Sequence, residues 1–273
     1  MLSRIIAAPF LFAAILLMFV AFRNADYAIY IVPNIIVLAV IYVLHPQIDW
    51  WWYQKHPPKM DKQGQAFLER FFGFYQALPP EEQLRFRNRT MMIQLAKDFM
   101  AQADDKTVPA DARLIFAACQ AQLTFGMEDY LLESFEKVVI YPDAFPSPKY
   151  PEHFHLSEVF EEDTVNGYIF SLQHMLAGFT QPNQFYNITS HELSQSLTMN
   201  HPDWAWPAIE ESIWIELEQI SQFPTQALKA SMNRPDIEPL AATVTHFLTY
   251  PAAFQKILPG LYEELNQLLK VYT

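Results

Sequence analysis

The amino-acid sequence predicts a mainly helical α+β domain that follows an N-terminal transmembrane helical hairpin. Residues 1–45 carry only three formal charges, whereas the rest of the chain carries nearly all the ionisable side chains. Beyond this boundary most apolar residues recur at helical spacing, and two short β-branched or aromatic runs are typical of strands. We therefore divide the chain into a hairpin (1–45), an interfacial aromatic segment and linker (46–63), and one folded domain (64–273).

The composition excludes several classes of protein. The 273 residues include 18 Lys and Arg against 30 Asp and Glu, a net charge of −12. Such a chain is a poor general binder of nucleic acid, whose phosphates need basic side chains. An apolar content of 51% argues against intrinsic disorder. The single cysteine, Cys119, excludes an internal disulfide framework, and no glycine-rich phosphate-binding motif is present.

Two apolar runs, 5–22 and 28–44, predict the hairpin. As helices, each would span about 26 Å, close to the ~30 Å hydrocarbon core of a bilayer. The short polar segment 23–27 would join them. The alternative is a cleaved signal peptide followed by a buried helix, which is disfavoured because small residues are missing from a cleavage site near Phe22.

Basic residues on either side of the hairpin predict its orientation. Arg4 precedes the first run, and Lys55, Lys59 and Lys62 follow the second. The positive-inside rule therefore places both termini in the cytoplasm. The aromatic run 50–53 suits the headgroup boundary. We predict a multi-pass protein of the inner (cytoplasmic) membrane whose soluble domain faces the cytoplasm.

Spacing and punctuation predict the order of elements in the soluble domain. We expect helices over 64–77, 80–102 and 107–126 (with Thr107 as N-cap), strands at 138–141 and 167–172, a solvated acidic loop at 146–166 between the strands, and helices from about 183 to the C-terminus. The loop assignment depends on the four acidic residues within 158–163. His153 and His155, in the same stretch, are expected at the surface.

One local motif, His191-Glu192-Leu193-Ser194-Gln195, has the pattern of a catalytic site. In a zinc peptidase, two histidines at i and i+4 of one helix bind the metal, and the glutamate beside the first is the general base for the metal-bound water. Here the first histidine and the glutamate are present, but Gln195 occupies the i+4 position. A His-Glu pair alone occurs by chance in many chains and would then belong to an ordinary capped surface helix.

Five segments, in order along the chain, resemble the Mlc titration factor A family of zincin-like metallopeptidases. They are IFAACQAQLTFG (115–126), KVVIYPDAF (137–145), GYIFSLQHMLAG (167–178), FYNITSHELSQSL (185–197) and EPLAATVTHFLTYP (238–251). The resemblance spans about residues 67–271. It implies a zincin-like fold for the soluble domain, with zinc bound by two helix histidines and a downstream glutamate.

The family pattern assigns roles to individual residues. His191 matches the first zinc ligand, Glu192 the catalytic base, and Glu238 the glutamate that opens the downstream helix. Gln195 takes the place of the second histidine, and protein zinc sites almost never use an amide. A site of His191, Gln195 and Glu238 should hold zinc weakly or not at all, and without metal Glu192 has no activated water to deprotonate. We therefore predict a degenerate metallopeptidase, a pseudoenzyme of the titration factor A type.

Three functional classes stay open at this point. The favoured one is binding of a peptide or protein partner along strand 167–172, taken as the edge of a sheet; the resemblance implies that a transcription regulator is one candidate partner. The second is an active zinc-dependent peptidase at the cytoplasmic membrane face, with His201 or His246 replacing the missing ligand. The third is a structural membrane protein whose domain is only a scaffold.

Overall fold

The computed structural model describes residues 2–102, 107–147, 149, 151–162, 165–234 and 237–272. It divides into two compact units, Met1–Pro58 and Lys59–Thr273. The first contains α1 (Leu2–Arg23), a 3₁₀ turn (Ala25–Tyr30) and α2 (Ile31–Lys55). The predicted interfacial residues 46–55 thus continue the second helix.

Helices α1 and α2 pack antiparallel, as shown by Ser3, whose backbone N–H and hydroxyl each donate to the Asp49 carboxylate at 2.9 Å. Both helices are long and apolar enough to cross a membrane. In the most apolar 18-residue window of each helix, 0% and 6% of the residues are buried. The alternative of a buried second helix is therefore wrong.

The second unit is mainly helical, with one four-stranded sheet among the described residues. Its elements are α3 (Lys62–Phe71), α4 (Gly73–Ala77), α5 (Pro80–Ala96), β1 (Asp98–Ala101), α6 (Ala110–Leu123), β2 (Lys137–Tyr141), β3 (Ser157–Glu162), β4 (Val165–Ser171), α7 (Leu172–Thr180), α8 (Ile188–Asn200), α9 (Ile213–Ser221), α10 (Thr225–Met232), α11 (Pro239–Thr249), α12 (Pro251–Ile257) and α13 (Pro259–Leu269). The predicted mainly helical α+β class with two N-terminal apolar helices is confirmed.

The strand order is β1-β2-β4-β3, with β1, β2 and β4 parallel and β3 antiparallel to β4. Two predictions are wrong here. The stretch 146–166 contains a strand, β3, rather than only a solvated loop. The strand predicted at 167–172 lies inside the sheet as β4, between β2 and β3, so the antiparallel edge strand is β3.

The spacing of apolar residues also does not predict β1, the strand at the other edge of the sheet. Helix α5 ends at Ala96 rather than near 102, and the next residues form β1, which pairs with β2 from Asp98↔Lys137 to Ala101↔Ile140. Thr107 is not the N-cap of α6, because that helix begins at Ala110 after Pro109. Proline fixes φ near the value that the first helical turn requires.

Helix α6 is buried along nearly its whole length, from Leu114 to Leu123, and packs against α5 and α8. Two arginines of α5, Arg85 and Arg89, donate to the carbonyl groups that follow the C-terminal end of α6. Arg89 donates to the carbonyl oxygens of Thr124, Phe125 and Met127 at 2.6–2.9 Å. These contacts match the negative end of the helix dipole with positive charge. α6 thereby forms part of the buried surface against which α8, the helix that carries the HELSQ motif, packs.

Candidate functional site

Helix α8 places the motif in the interior of the domain, in contact with α6, α11 and β3. The helix begins after Asn187, whose side-chain oxygen accepts a hydrogen bond from the Ser190 N–H at 3.0 Å. His191 and Glu192 are both 0% exposed. The reading of this segment as an ordinary surface helix is therefore wrong, although its N-cap is present.

The Glu192 carboxylate is engaged by two donors. Its Oε1 accepts from Ser157 Oγ on β3 at 2.6 Å and from Arg234 Nη1 at 2.8 Å. The Arg234 and Glu192 side chains are 3% and 0% exposed, so this is a buried ion pair. Such a pair is held only by good geometry, because both charges have lost their hydration. Glu192 is the residue that the motif assigns as general base.

The backbone after α10 brings Arg234 to this position. Asn233 adopts a left-handed conformation, with φ of 51°, at the C-terminal end of α10, and Asn tolerates this region better than most residues. Its side-chain amide donates to the Phe154 carbonyl at 2.8 Å. Arg234 Nη1 also donates to the Ser157 carbonyl at 2.8 Å. Residues 233 and 234 are therefore fastened both to the start of β3 and to α8.

His191 makes a hydrogen bond with a tyrosine that lies five residues before it in the chain. Its Nδ1 lies 2.8 Å from the Tyr186 hydroxyl. The hydroxyl of Thr245, on the neighbouring helix α11, donates to the Ala241 carbonyl at 2.7 Å. Burial raises the pKa of Tyr186 far above its usual value, so it stays a neutral phenol.

The other two predicted metal ligands, Gln195 and Glu238, lie in α8 and at the start of α11. Gln195 is one turn beyond His191 on the same face of α8. Its Oε1 is buried and has no hydrogen-bond partner in the part of the chain that the structure describes. Glu238 is the N-cap residue of α11 and makes no side-chain capping bond. Burial raises the pKa of Glu238.

His201 and His246, the two candidate replacements for the missing zinc ligand, each contact other groups of the domain. His201 ends α8, and its ring stacks on Trp204 with centroids 4.2 Å apart. His246 is buried in α11, where its Nδ1–H donates to the Ala242 carbonyl at 2.7 Å. Among the described residues, neither belongs to a group of three or more His, Cys, Asp or Glu that could hold a metal.

A buried pair of polar side chains, His155 and Glu158, lies at the start of β3. His155, predicted at the surface, is 0% exposed. Its Nδ1 is hydrogen-bonded to the His153 carbonyl at 3.0 Å and its Nε2 to the Glu158 carboxylate at 2.9 Å. Burial would raise the pKa of Glu158, but hydrogen bonds from His155 and Ser147 hold it below its usual value. The one buried acidic side chain of this segment, among the described residues, is therefore hydrogen-bonded.

Comparison with protein families decides what kind of chain this is. The family described as glucose-regulated metallo-peptidase M90 matches residues 48–208, more than half of the chain. The chain belongs to the M90 metallopeptidase family. Its metallopeptidase relationship, predicted from the motif and its neighbouring segments, is confirmed. The comparison with individual curated proteins finds no match. The M90 match includes β3 and the motif of α8, and it ends before Arg234 and Glu238.

An M90 metallopeptidase implies a metal, and zinc is the ion that its motif helix would bind. The donor set of this chain does not fit zinc. Gln195 offers an uncharged amide oxygen at the position where the motif requires a second imidazole. Within the described residues, no three His, Cys, Asp or Glu side chains are grouped so that they could hold a metal ion.

Three residues of this M90 site escaped the sequence reasoning. Tyr186 lies five residues before His191, and the motif pattern assigns no role to that position. Ser157 lies in the stretch predicted as a loop. Arg234 is 42 positions from Glu192, and no local pattern connects them.

The burial of His246 predicts a pH dependence of M90 domain stability. Burial lowers its pKa from 6.5 to about 4, although the bond to Ala242 opposes the shift. Between these values the unfolded chain binds more protons, so this contribution is complete above about pH 6.5 and is lost as the pH falls towards 4. We expect a loss of about 2 kcal/mol between pH 7 and pH 5. Thermal unfolding of His246→Gln should show a smaller decrease in Tm over this range than the wild type; equal decreases would contradict the assignment.

Proposed function

We propose that this M90 protein is a membrane-anchored, degenerate metallopeptidase of the titration factor A type, with a zincin-like domain that binds a peptide or protein partner without hydrolysing it. The observation that carries the proposal is the 2.8 Å contact between Arg234 and Glu192. A general base must take a proton from the attacking water. A permanently charged guanidinium favours the ionised carboxylate and so lowers its basicity.

Gln195 supports the same proposal from the metal side. A neutral imidazole is a strong zinc donor, and the two-histidine pair of a working site depends on both rings. With an amide in the second position, the remaining candidate donors are His191 and Glu238. Loss of the metal and a less basic Glu192 would each remove hydrolysis, and Gln195 and Arg234 support these two parts of the proposal.

The outer edge of β3 is the surface proposed for the partner. The Ser171 N–H donates to the Leu156 carbonyl at 2.8 Å, so alternate residues from 156 onward face β4. The intervening residues Ser157, Val159 and Glu161 direct their backbone groups outward. Arg234 takes the Ser157 carbonyl. Val159 and Glu161 have no backbone partner among the described residues, but Val159 is buried and Glu161 is exposed. An extended segment can add to such an edge, and we place its contact at Glu161.

The N-terminal hairpin supplies the proposed location. Helices α1 and α2 would anchor the protein in the inner membrane as a multi-pass hairpin, with the domain on the cytoplasmic side. The partner would then be a cytoplasmic or membrane-bound protein segment. A transcription regulator is the candidate that the titration factor A resemblance suggests.

A proline substitution tests the binding edge. Glu161 is exposed, and its outward N–H makes no bond to β4. Glu161→Pro removes this donor and leaves the β3–β4 ladder intact, whereas Glu161→Ala removes the charge and keeps the N–H. The wild-type protein in lipid nanodiscs is first used to select binding decapeptides from a random array. We expect these peptides to bind Glu161→Pro at least about tenfold more weakly than the wild type, and to bind Glu161→Ala as tightly as the wild type. Equal binding by both variants, or selection of no peptide, would contradict the proposal.

The second candidate function is an active zinc peptidase with an unusual ligand set. One observation favours it: the buried Gln195 Oε1 has no partner in the described chain and lies on the His191 face of α8. An unsatisfied buried oxygen is costly, and a cation would satisfy it. Bound zinc together with peptide hydrolysis would establish this function in place of the first.

A further inference from the structure

We propose that the soluble domain contains a second binding site, a cavity of about 650 Å³ that takes an aromatic monocarboxylate. None of His191, Glu192 and Gln195 lines the cavity. It lies between α4, α6, the end of α7 and the C-terminal segment after α13. This site is independent of the peptide-binding edge, so either proposal can stand without the other.

Aromatic side chains form the walls of the cavity. They are Phe71, Phe72, Phe74, Phe125, Phe179 and Tyr272. The rings hold one another in place: Phe74 meets Phe125 edge-on with centroids 5.4 Å apart, and Phe72 stacks on Phe179 at 4.9 Å. Ligand cavities are commonly 300–1,000 Å³ and apolar, with few polar groups. Preformed aromatic walls of this kind suit a flat aromatic body.

The deep polar groups of the cavity are already used. The Gln122 side-chain amide and the Tyr272 hydroxyl donate to the Leu248 carbonyl at 2.9 and 3.2 Å. The Asn187 oxygen caps α8. The interior therefore offers contact area to an apolar group and little hydrogen bonding. Recognition of a charged head must take place at the rim.

The rim carries a net positive charge in a chain whose overall charge is −12. Of the residues that line the cavity, Arg85 and Lys270 are basic and Glu82 is acidic. Arg85 is fixed by its 3.2 Å ion pair with Glu82 and by donation to the Phe125 carbonyl at 3.1 Å. Two of its five N–H donors are thus used in the described structure. Lys270 has no acidic partner in the part of the chain that the structure describes, and its single charge matches a ligand with one negative charge.

Binding of 1-naphthaleneacetate to the full chain in lipid nanodiscs tests the proposal by calorimetry, with empty nanodiscs subtracted. Lys270→Glu reverses the charge at the rim, and Lys256→Glu makes the same change at an exposed lysine that does not line the cavity. We expect saturable wild-type binding, weakened about tenfold by Lys270→Glu and unchanged by Lys256→Glu. The neutral amide of the same probe should bind the wild-type protein as weakly as 1-naphthaleneacetate binds Lys270→Glu.

A second pair of variants tests the apolar part of the cavity. A side chain added at Gly73, which lines the cavity, or at Gly260, which does not, meets no heavy atom within 4 Å at its Cβ. Gly73→Leu should weaken binding by reducing the volume, and Gly260→Leu should leave it unchanged. Absence of saturable wild-type binding, or equal effects within either pair of variants, would overturn the proposal.

Discussion

Replacing Arg234 by methionine is expected to destabilise the soluble domain by about 3–5 kcal/mol, because it removes the guanidinium from a buried carboxylate. For a domain of this size, that corresponds to a decrease in Tm of about 10 °C. Tryptophan fluorescence during heating of the full chain in nanodiscs measures it. Arg113→Met, which removes an exposed arginine from α6, is the matched control and should change Tm by no more than about 2 °C.

A double substitution separates the ion pair from general loss of packing. If the cost comes from the unpaired carboxylate, Glu192→Gln combined with Arg234→Met should be more stable than Arg234→Met alone, since no buried charge is then left uncompensated. An Arg234→Met variant as stable as Arg113→Met would show that the contact with Glu192 has no energetic role. The proposed disabling of the base would then lose its support.

The substitution Gln195→His is expected to raise zinc affinity at least about 100-fold, because it gives α8 the i, i+4 pair of imidazoles that zinc sites use. Peptide hydrolysis should nevertheless remain absent, since Arg234 still holds the Glu192 carboxylate. Zinc retained after gel filtration and cleavage of labelled casein are the two measurements. Gln219→His, at an exposed position of α9, controls for the effect of adding any histidine.

Two outcomes would contradict this second prediction. Equal zinc retention by Gln195→His and Gln219→His would mean that His191 and position 195 do not face a common site. Hydrolysis by Gln195→His that is abolished by a further Glu192→Gln change would mean that the ion pair leaves the base functional. The first outcome would contradict the proposal that Gln195 is the reason for weak zinc binding. The second would contradict the proposal that Arg234 prevents Glu192 from acting as a base.

The parts of the fold that could be predicted are those encoded by local periodicity. The hairpin follows from two apolar runs, and β2, β4 and α8 follow from spacing within short windows. The edge strand β3 could not be recognised, because its acidic residues are typical of a loop. Hydrogen bonds from His155 and Ser147 satisfy the buried carboxylate of Glu158, and these contacts form only in the folded domain.

The candidate site shows the same division. His191, Glu192 and Gln195 form a contiguous motif and could be found from the sequence alone. The cation beside Glu192 could not, because Arg234 comes from a turn after α10 and its role depends on a left-handed residue and on the position of β3. Contacts between distant segments leave no periodic signal in one sequence.

We propose that this M90 chain has lost the chemistry of its motif and keeps the binding function of its domain. The zinc content of the full-length wild-type protein, measured after saturation with zinc and gel filtration and alongside casein cleavage, tests the claim most directly. The proposal predicts far less than one zinc per chain and no cleavage. One firmly held zinc per chain, with cleavage that Glu192→Gln abolishes, would contradict it.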